Sequence, residues 1–410
     1  MNEQQKKNTI WNIIGATLSA FNSLFFTIIV TRLNGIDAAG IFTYSFATAC
    51  LLYIVASYLG RTYQVTDISN KYSDTDYIFN RIGTCIFMII LAIGFCIIKQ
   101  YDIYKTLVFV SLCGFKAIEA FSECIYAIIQ RNERLDQVGK SLAVKAILGL
   151  VVFYIIDIIT HNLILACVSI ILMNIIVLCI YDIKNAIKLG IAKTKYINEK
   201  NFTLLKLGFF TFILTFLAQY VINSSRYAID DLLENNFQTI FGIIIMPATF
   251  MGLLGQFIVQ PILTRIANCL KVEDYSNLKK IISKMLIIVI SFGLIVILGV
   301  YLIGIPVLEL IYGIELKTYK NELMIIIIGS ILYCIEILLS TILISMRKTL
   351  GQAIIFLIVS VISTISAYKL VDSYSIMGAS VSYLVTMILI SIILFVYMYM
   401  NINKLEHEKI

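Results

Sequence analysis

The chain has 410 residues, of which 60% are hydrophobic and only 14% are charged. This composition excludes a soluble globular protein and leaves almost no room for a soluble domain. The net charge of +7 does not indicate nucleic-acid binding, because the basic residues concentrate in loops between apolar stretches, where they set membrane orientation.

Apolar stretches long enough to cross a bilayer occupy nearly the whole chain. A helix of ~20 apolar residues spans a hydrocarbon core of ~30 Å, whereas a barrel strand needs only ~9–11 alternating residues. The sequence therefore predicts an all-α integral membrane protein with helices at residues 10–31, 38–60, 82–98, 106–130, 142–160, 163–181, 207–225, 239–260, 284–304, 323–345, 350–368 and 376–400. We expect the first to be a retained span, because its apolar run is too long for a signal peptide and no cleavage site follows.

The distribution of Lys and Arg predicts the orientation. With the N-terminus inside, 23 of these residues fall on the inner side, seven fall on the outer side, and only Lys116 and Lys145 remain within spans. Inner loops carry the excess of basic residues in membrane proteins. The pattern therefore predicts that both termini are cytoplasmic.

The sequence lacks the residues that a metal site, a phosphate-binding loop or an external catalytic domain would require. His161 and His407 are the only histidines and have no metal-site spacing. Gly139-Lys140-Ser141 resembles the end of a phosphate-binding loop, but Arg134 stands where the loop needs a glycine. The longest outer loop, about 305–322, is too short for a catalytic domain. The sequence thus predicts a transporter that is not an enzyme and uses no cofactor or metal.

The two halves of the chain resemble each other. Thr31-Arg32 closes the first span and Ser225-Arg226 closes the seventh, while Glu119 and Glu336 both lie 11–12 residues before an inner arginine. Such parallel repeats are known in transporters. We expect two six-helix lobes related by a pseudo-two-fold axis along the membrane normal, with an N-lobe at 1–190, a cytoplasmic linker at 191–206 and a C-lobe at 207–410.

Charged residues lie inside several spans, where each costs free energy and normally faces a partner or a wet cavity. In the fourth span, spacings of three and four place Lys116, Glu119 and Glu123 on one helical face. Lys116 can form an ion pair with only one of the two glutamates, so the other carboxylate has no cation beside it unless Lys145 reaches it. Either the cluster is a structural ion pair, or its surplus carboxylate binds a coupling cation.

Two further acids and two arginines complete the candidates. Asp157 and Glu336 lie in other spans, and Asp157 is close enough to the outer end to be solvated. Arg32 and Arg226 occupy equivalent outer ends. Each either extends to the lipid headgroups or lines a cleft, where its guanidinium would bind phosphate oxygens in bidentate fashion.

Short motifs carry a resemblance to a known family. They include Trp11-Asn12, Thr31-Arg32-Leu33-Asn34-Gly35, Gly40-Ile41-Phe42, Glu119-Ala120-Phe121-Ser122-Glu123, Gln130-Arg131 and Leu135-Asp136-Gln137-Val138-Gly139-Lys140-Ser141. The chain resembles the polysaccharide flippases, the Wzx-type O-antigen and capsule translocases of the multidrug/oligosaccharidyl-lipid/polysaccharide exporter (MOP) superfamily. The resemblance implies a MATE-like fold along the whole length.

The same resemblance implies a function. It is the translocation of an undecaprenyl-pyrophosphate-linked oligosaccharide across the bacterial inner membrane by alternating access, coupled to H⁺ or Na⁺. The expected partners are this lipid-linked substrate, membrane lipids and other polysaccharide assembly proteins, with no nucleic acid. The substrate-binding candidates are Arg32, Arg226, Lys116 and Arg61, and the ion-coupling candidates are Glu119, Glu123, Glu336 and Asp157.

Three other readings stay open. A drug/cation antiporter of the same superfamily would need acidic residues to dominate its cleft. The basic residues Arg32, Arg226 and Lys116 argue against this alternative. A peptidoglycan-precursor flippase typically has two further helices. A membrane glycan polymerase or ligase would carry a large outer loop.

Overall fold

The computed structural model describes residues 3–67, 72–191, 200–259 and 262–407. The helices within these ranges are α1 (Glu3–Leu33), α2 (Ile36–Ala56), α3 (Gly60–Thr66), α4 (Asp74–Ile98), α5 (Ile103–Arg131), α6 (Leu135–Thr160), α7 (Leu163–Val177), α8 (Lys184–Leu189), α9 (Lys200–Leu232), α10 (Asn235–Ile244), α11 (Met246–Val259), α12 (Leu263–Val272), α13 (Tyr275–Tyr312), α14 (Lys320–Ser345) and α15 (Thr349–His407). A π-helical segment, Leu178–Ile183, joins α7 to α8, and a 3₁₀ turn, Lys317–Tyr319, precedes α14.

The all-α membrane fold predicted from the sequence is confirmed. Ten helices of the described residues are long and apolar enough to cross a bilayer. The last of them, α15, contains a non-helical residue, Ser375, and so covers both the eleventh and twelfth predicted spans. The fourth predicted span, α5, is not among the ten, because three charged side chains interrupt its apolar stretch (Lys116, Glu119 and Glu123). The ten helices, of which α15 covers two predicted spans, together with α5 account for the twelve predicted spans.

Most helices begin earlier than predicted. The third predicted span starts at residue 82, but α4 starts at Asp74, where the Ser73 side chain accepts a bond from the Asp76 N–H and Asp76 bonds back in a capping box. Polar first turns continue a helix beyond its apolar part because caps satisfy the otherwise unpaired N–H groups. Apolar length therefore locates a span but underestimates the helix.

The chain forms two compact units, Met1–Phe212 and Ile213–Ile410, with the division inside α9. The predicted linker, 191–206, falls partly outside the described residues, and its described end, 200–206, is helical. In the first unit α1 packs along α6, α5 contacts α2, α4 and α7, and α3 contacts α5; in the second, α14 packs against α11, α13 and α15.

A break in the second predicted span decides where the next charged residue lies. Instead of continuing to residue 60, α2 ends at Ala56 and Leu59 adopts a left-handed conformation with φ of 69°. The chain then turns into the short helix α3, which begins Gly60-Arg61 and packs against α5. Arg61 is thereby directed back toward α5 instead of extending beyond the end of α2.

The predicted orientation can be tested by cysteine labelling. Lys317, in the 3₁₀ turn, and Lys188, on α8, are both exposed. In a background without the nine native cysteines, we expect an impermeant maleimide to label a cysteine at Lys317 in intact cells and to miss one at Lys188. Labelling at Lys188 before permeabilisation would contradict the orientation.

Candidate functional site

A cavity of about 700 Å³ lies inside the first unit. Residues of α1, α2, α3, α5, α6 and α7 line it, including the amides Asn12, Asn22 and Asn174. Five charged side chains also line it: Arg61, Lys116, Glu119, Glu123 and Lys145. Its volume is within the usual range for ligand sites, ~300–1,000 Å³, but its charge density is higher than that of a mostly apolar ligand pocket.

The charged face of α5 points into this cavity, as the helical spacing predicts. Lys116, Glu119 and Glu123 all line it, and Lys116 Nζ lies 2.7 Å from Glu119 Oε2. The ammonium also lies 5.0 Å from the ring centroid of Phe46 and 5.3 Å from that of Phe115. Aromatic faces attract cations by their quadrupole. The Tyr53 ring lies 5.8 Å away, so Lys116 is held by a carboxylate and by three rings.

Glu123 has a cationic partner that sequence reasoning missed. Arg61 Nη1 lies 3.4 Å from Glu123 Oε2, because the break after α2 carries Arg61 to α5. The second carboxylate of the cluster therefore has a cation beside it, and this cation is Arg61 instead of Lys145. Gly60, which opens α3 with a φ of 55°, is the sequence signal for this turn.

Lys145 pairs with an aspartate that the sequence placed in a loop. Its Nζ lies 2.6 Å from Asp182 Oδ2 and donates to Ser122 Oγ at 2.7 Å and to Tyr126 Oη at 3.1 Å. Asp182 is fully buried, because the sixth span continues through the π-helical segment. The sequence did contain a signal for this pair. Lys145 lies three residues after the predicted start of the fifth span, and Asp182 lies one residue after the predicted end of the sixth. Because consecutive spans run in opposite directions, both residues lie at similar depth in the membrane.

Asp157 is buried instead of solvated. Its side chain has no exposed surface, and its Oδ1 accepts a hydrogen bond of 3.0 Å from Asn34 Nδ2. Asn34 belongs to the Asn34-Gly35 turn between α1 and α2, in which Gly35 has a φ of 88°. Asp157 therefore ties the end of α6 to this turn, and it is not among the residues that line the cavity.

The candidates at the repeat positions lie in different environments. Arg32 is exposed at the end of α1 and does not line the cavity of its unit. Arg226 is half-buried and lines a smaller cavity of the second unit, about 250 Å³, with Asn223, Tyr333 and Tyr383. Glu336 is buried on α14 and is not among the residues that line this second cavity. The cavities thus gather Arg61, Lys116, Glu119 and Glu123 in one unit and Arg226 in the other.

The polar side chains that line the first cavity are cations, carboxylates, amides and hydroxyls. Within the residues described, no three His, Cys, Asp or Glu side chains lie close enough together to hold a metal ion. Arginine and lysine near amide and hydroxyl groups are a suitable set for phosphate and sugar oxygens.

Comparison with known proteins extends over the whole chain. No protein-family model matches it. It is 26% identical over 399 residues to the capsular polysaccharide biosynthesis protein CapF of Staphylococcus aureus, an alignment that covers 97% of this chain and 99% of that protein.

Solved structures give the fold. The MATE transporter VcmN of Vibrio cholerae matches with a TM-score of 0.65 at 14% identity, over 98% of this chain and 97% of that one. A MOP-superfamily transporter from Pyrococcus furiosus, described as having a binding pocket of reverse polarity, also matches with a TM-score of 0.65, at 13% identity over 99% and 97% of the two chains. These comparisons confirm the resemblance this far: the chain is similar over its whole length to a capsular polysaccharide biosynthesis protein, and it has the fold of the MATE transporters.

Proposed function

We propose that this protein is a flippase that moves an undecaprenyl-pyrophosphate-linked oligosaccharide across the bacterial inner membrane by alternating access. Similarity to a capsular polysaccharide biosynthesis protein over nearly the full length supports the substrate class. The MATE fold supports the mode of action. Cytoplasmic termini are part of the same proposal and rest on the distribution of basic residues.

The observation that carries the proposal is that two of the three cations in the first cavity, Arg61 and Lys116, lie among polar side chains. Arg61 and Lys116 line it together with amide and hydroxyl side chains. A guanidinium grips phosphate oxygens in bidentate fashion, and an ammonium adds a point charge. Asn12, Asn22 and Asn174 offer donors and acceptors for sugar hydroxyls. Such a cavity suits the polar head of a lipid-linked sugar.

A cation-exporting antiporter fits the same cavity less well. A cationic drug needs a carboxylate whose charge is available to it. Both carboxylates of the cavity, Glu119 and Glu123, are paired with cations, and the residues that line it include three cations against these two carboxylates. The charge pattern favours an anionic substrate.

We further propose that a cation gradient drives the transport. The ion-coupling candidates are Glu119 and Glu123 in the cavity, with Asp157 and Glu336 buried elsewhere. A buried carboxylate that accepts a proton loses its charge, and its ion pair with a neighbouring cation weakens. Protonation of a cavity glutamate would therefore release Lys116 or Arg61 toward substrate.

The test is transport by the purified protein in proteoliposomes. We expect a lipid-pyrophosphate-linked sugar to be flipped when a proton or sodium gradient is imposed, and a lipophilic cationic dye not to be exported. Dye export without sugar flipping would establish the antiporter instead.

Arg32 and Arg226 remain substrate-binding candidates with a prediction of their own. If both bind pyrophosphate, Arg32→Ala should abolish surface glycan while protein level stays normal, and Arg32→Lys should restore it only in part, because a bidentate fork becomes a point charge. The measurement is glycan display in a strain that lacks its own flippase. Full display by the Arg32→Ala/Arg226→Ala variant would show that both side chains only contact headgroups.

A further inference from the structure

A buried ion pair forms part of the wall of the first cavity. Lys145 lines the cavity, and its side chain is 9% exposed, whereas its partner Asp182 is 0% exposed. Ser122 and Tyr126, which also line the cavity, both accept hydrogen bonds from the Lys145 ammonium. The Tyr126 hydroxyl is hydrogen-bonded in turn to Ser141 Oγ at 2.8 Å. Lys145 thus lies at the cavity wall, and its ammonium is engaged by Asp182 and two hydroxyls instead of being available to a bound molecule.

The second carboxylate oxygen of Asp182 is left over. Asp182 Oδ1 is buried and accepts no hydrogen bond of good geometry among the described residues, although the hydroxyls of Ser141 and Tyr126 interact with this carboxylate. A buried ionised carboxylate needs bonds to both oxygens to offset its desolvation. The residue also lies on the π-helical segment, an irregularity that occurs frequently at functional sites. This oxygen is therefore a place where a bound proton would remove an uncompensated charge.

Six charged side chains lie in or behind the cavity wall, and their charges cancel only when Asp182 is counted. Three cations line the cavity, Arg61, Lys116 and Lys145, against two carboxylates, Glu119 and Glu123. Asp182, behind the wall, supplies the third negative charge. Addition of one proton to Asp182 would change the net charge of this group from zero to +1.

We propose that Asp182 is the terminal proton acceptor of the first cavity and that its protonation frees the Lys145 ammonium to bind an anionic group of the substrate. This inference deepens the proposed function and rests on it. Lys145 passes one proton to Asp182 and regains one from a hydronium ion in the cavity, either directly or after Glu119 or Glu123 has taken up that proton and handed it on. Lys145 ends as a cation and Asp182 as a neutral acid, so the net change is one proton moved from the cavity to Asp182.

The other groups around the pair are consistent with this assignment. From α5, Glu119 and Glu123 act electrostatically on Lys145, and Tyr126 bonds to it. From α6, Ser141 lies beside Tyr126. Tyr181 precedes Asp182, α7 contributes Asn174 to the cavity, and α8 carries the exposed Lys184 and Lys188. Among the described residues, Lys145 is thus the cation that bonds directly to Asp182, and it lines the cavity together with Glu119 and Glu123.

Binding of inorganic pyrophosphate to the purified protein tests the inference. Asp182→Asn mimics the protonated acid, so at alkaline pH it should bind pyrophosphate about tenfold more tightly than the unaltered protein, as expected for one unmasked charge. At acidic pH the two should converge. Comparison at each pH cancels the titration of pyrophosphate itself. Lys145→Met/Asp182→Asn should bind weakly throughout, because the released ammonium is gone.

Asp74→Asn is the matched control. Asp74 is also buried, is paired with Arg131, and does not line the cavity. This variant should keep the pH profile of the unaltered protein. Equal affinities of Asp182→Asn and the unaltered protein at alkaline pH would overturn the inference alone. No pyrophosphate binding by the unaltered protein at any pH would overturn the proposed substrate class and the inference with it.

A measurement on the unaltered protein covers the case in which Asp182→Asn does not fold. Pyrophosphate binding at alkaline pH should draw a proton into the protein. Titration calorimetry in two buffers of different ionisation enthalpy measures this uptake. Binding without proton uptake would overturn the inference whatever the variants do.

Discussion

Glutamine at position 119 is expected to abolish gradient-driven flipping while leaving the protein folded. Glu119→Gln removes the charge that pairs with Lys116 but keeps the shape of the side chain. Lys116 stays in place because the rings of Phe46 and Phe115 still hold its ammonium. Removal of one partner from a buried pair costs about 3–5 kcal/mol, and we expect less here because Glu119 is 31% exposed. Flipping in proteoliposomes with and without an imposed gradient measures the effect.

The double variant separates coupling from scaffolding. Lys116→Met/Glu119→Gln removes both charges and leaves no stranded ion. A purely structural pair predicts that this variant transports normally, because the buried charges are gone together. A coupling site predicts that it remains inactive. Normal gradient-driven flipping by the double variant would place the coupling site elsewhere.

Glu123→Gln provides the comparison on the same helical face. It would free Arg61 instead of Lys116. If Glu119 is the coupling residue, Glu123→Gln should retain gradient-driven flipping better than Glu119→Gln does. Similar losses in both variants would mean that the two carboxylates act as one unit.

The sequence was sufficient for the fold but not for all of the site. The positions of the spans follow from the apolar stretches, and the face shared by Lys116, Glu119 and Glu123 follows from helical spacing; both are local properties. The partner of Glu123 does not follow, because Arg61 reaches α5 only through a backbone break at Leu59. Apolar length counts residues across such a break as one span.

The burial of acidic residues at helix ends also could not be predicted from the sequence. Asp157 and Asp182 lie at the edges of apolar stretches, so hydropathy assigns them to solvent. The structure buries both, beside Asn34 and Lys145 respectively. Hydropathy along one chain segment does not contain the neighbouring helices that cover its ends. A lysine inside a span is the better signal, because it requires a carboxylate at similar depth.

Gly139 shows how a motif can have a packing reason. The Gly139-Lys140-Ser141 segment resembles a phosphate loop, but Gly139 lies on α6 where α1 crosses it closely. A Cβ at Gly139 would lie 2.2 Å from the backbone carbonyl of Trp11, and one at Gly15 would lie 2.2 Å from the Gly139 oxygen. Each glycine thus permits the approach of the other helix, as small residues do at helix contacts in membranes.

Further bonds show that this crossing is specific. Asn8 Oδ1 accepts from the Asp136 N–H at 2.9 Å, and Asn8 Nδ2 donates to the Glu133 carbonyl at 2.8 Å. Lys140 Nζ lies 5.3 Å from the ring centroid of Trp11. These contacts fix the position of α1 along α6, so the two backbones cannot separate at Gly139 without breaking them.

Gly139→Ala is therefore expected to lower the free energy of unfolding more than Gly149→Ala does, although each adds one methyl group to α6. Overpacking costs typically about 1–3 kcal/mol, and contact with backbone cannot be relieved by a rotamer change. The thermal midpoint in detergent should fall clearly below that of Gly149→Ala, a control on the same helix whose new Cβ would meet only Asn174 Nδ2 at 3.9 Å. Equal midpoints for the two variants would mean that α1 and α6 lie farther apart at Gly139. A second consequence is specific to this contact: Gly139→Ala should also lose the protection of the Asn8–Asp136 region from hydrogen exchange, whereas a loss spread evenly over the unit would point to general destabilisation.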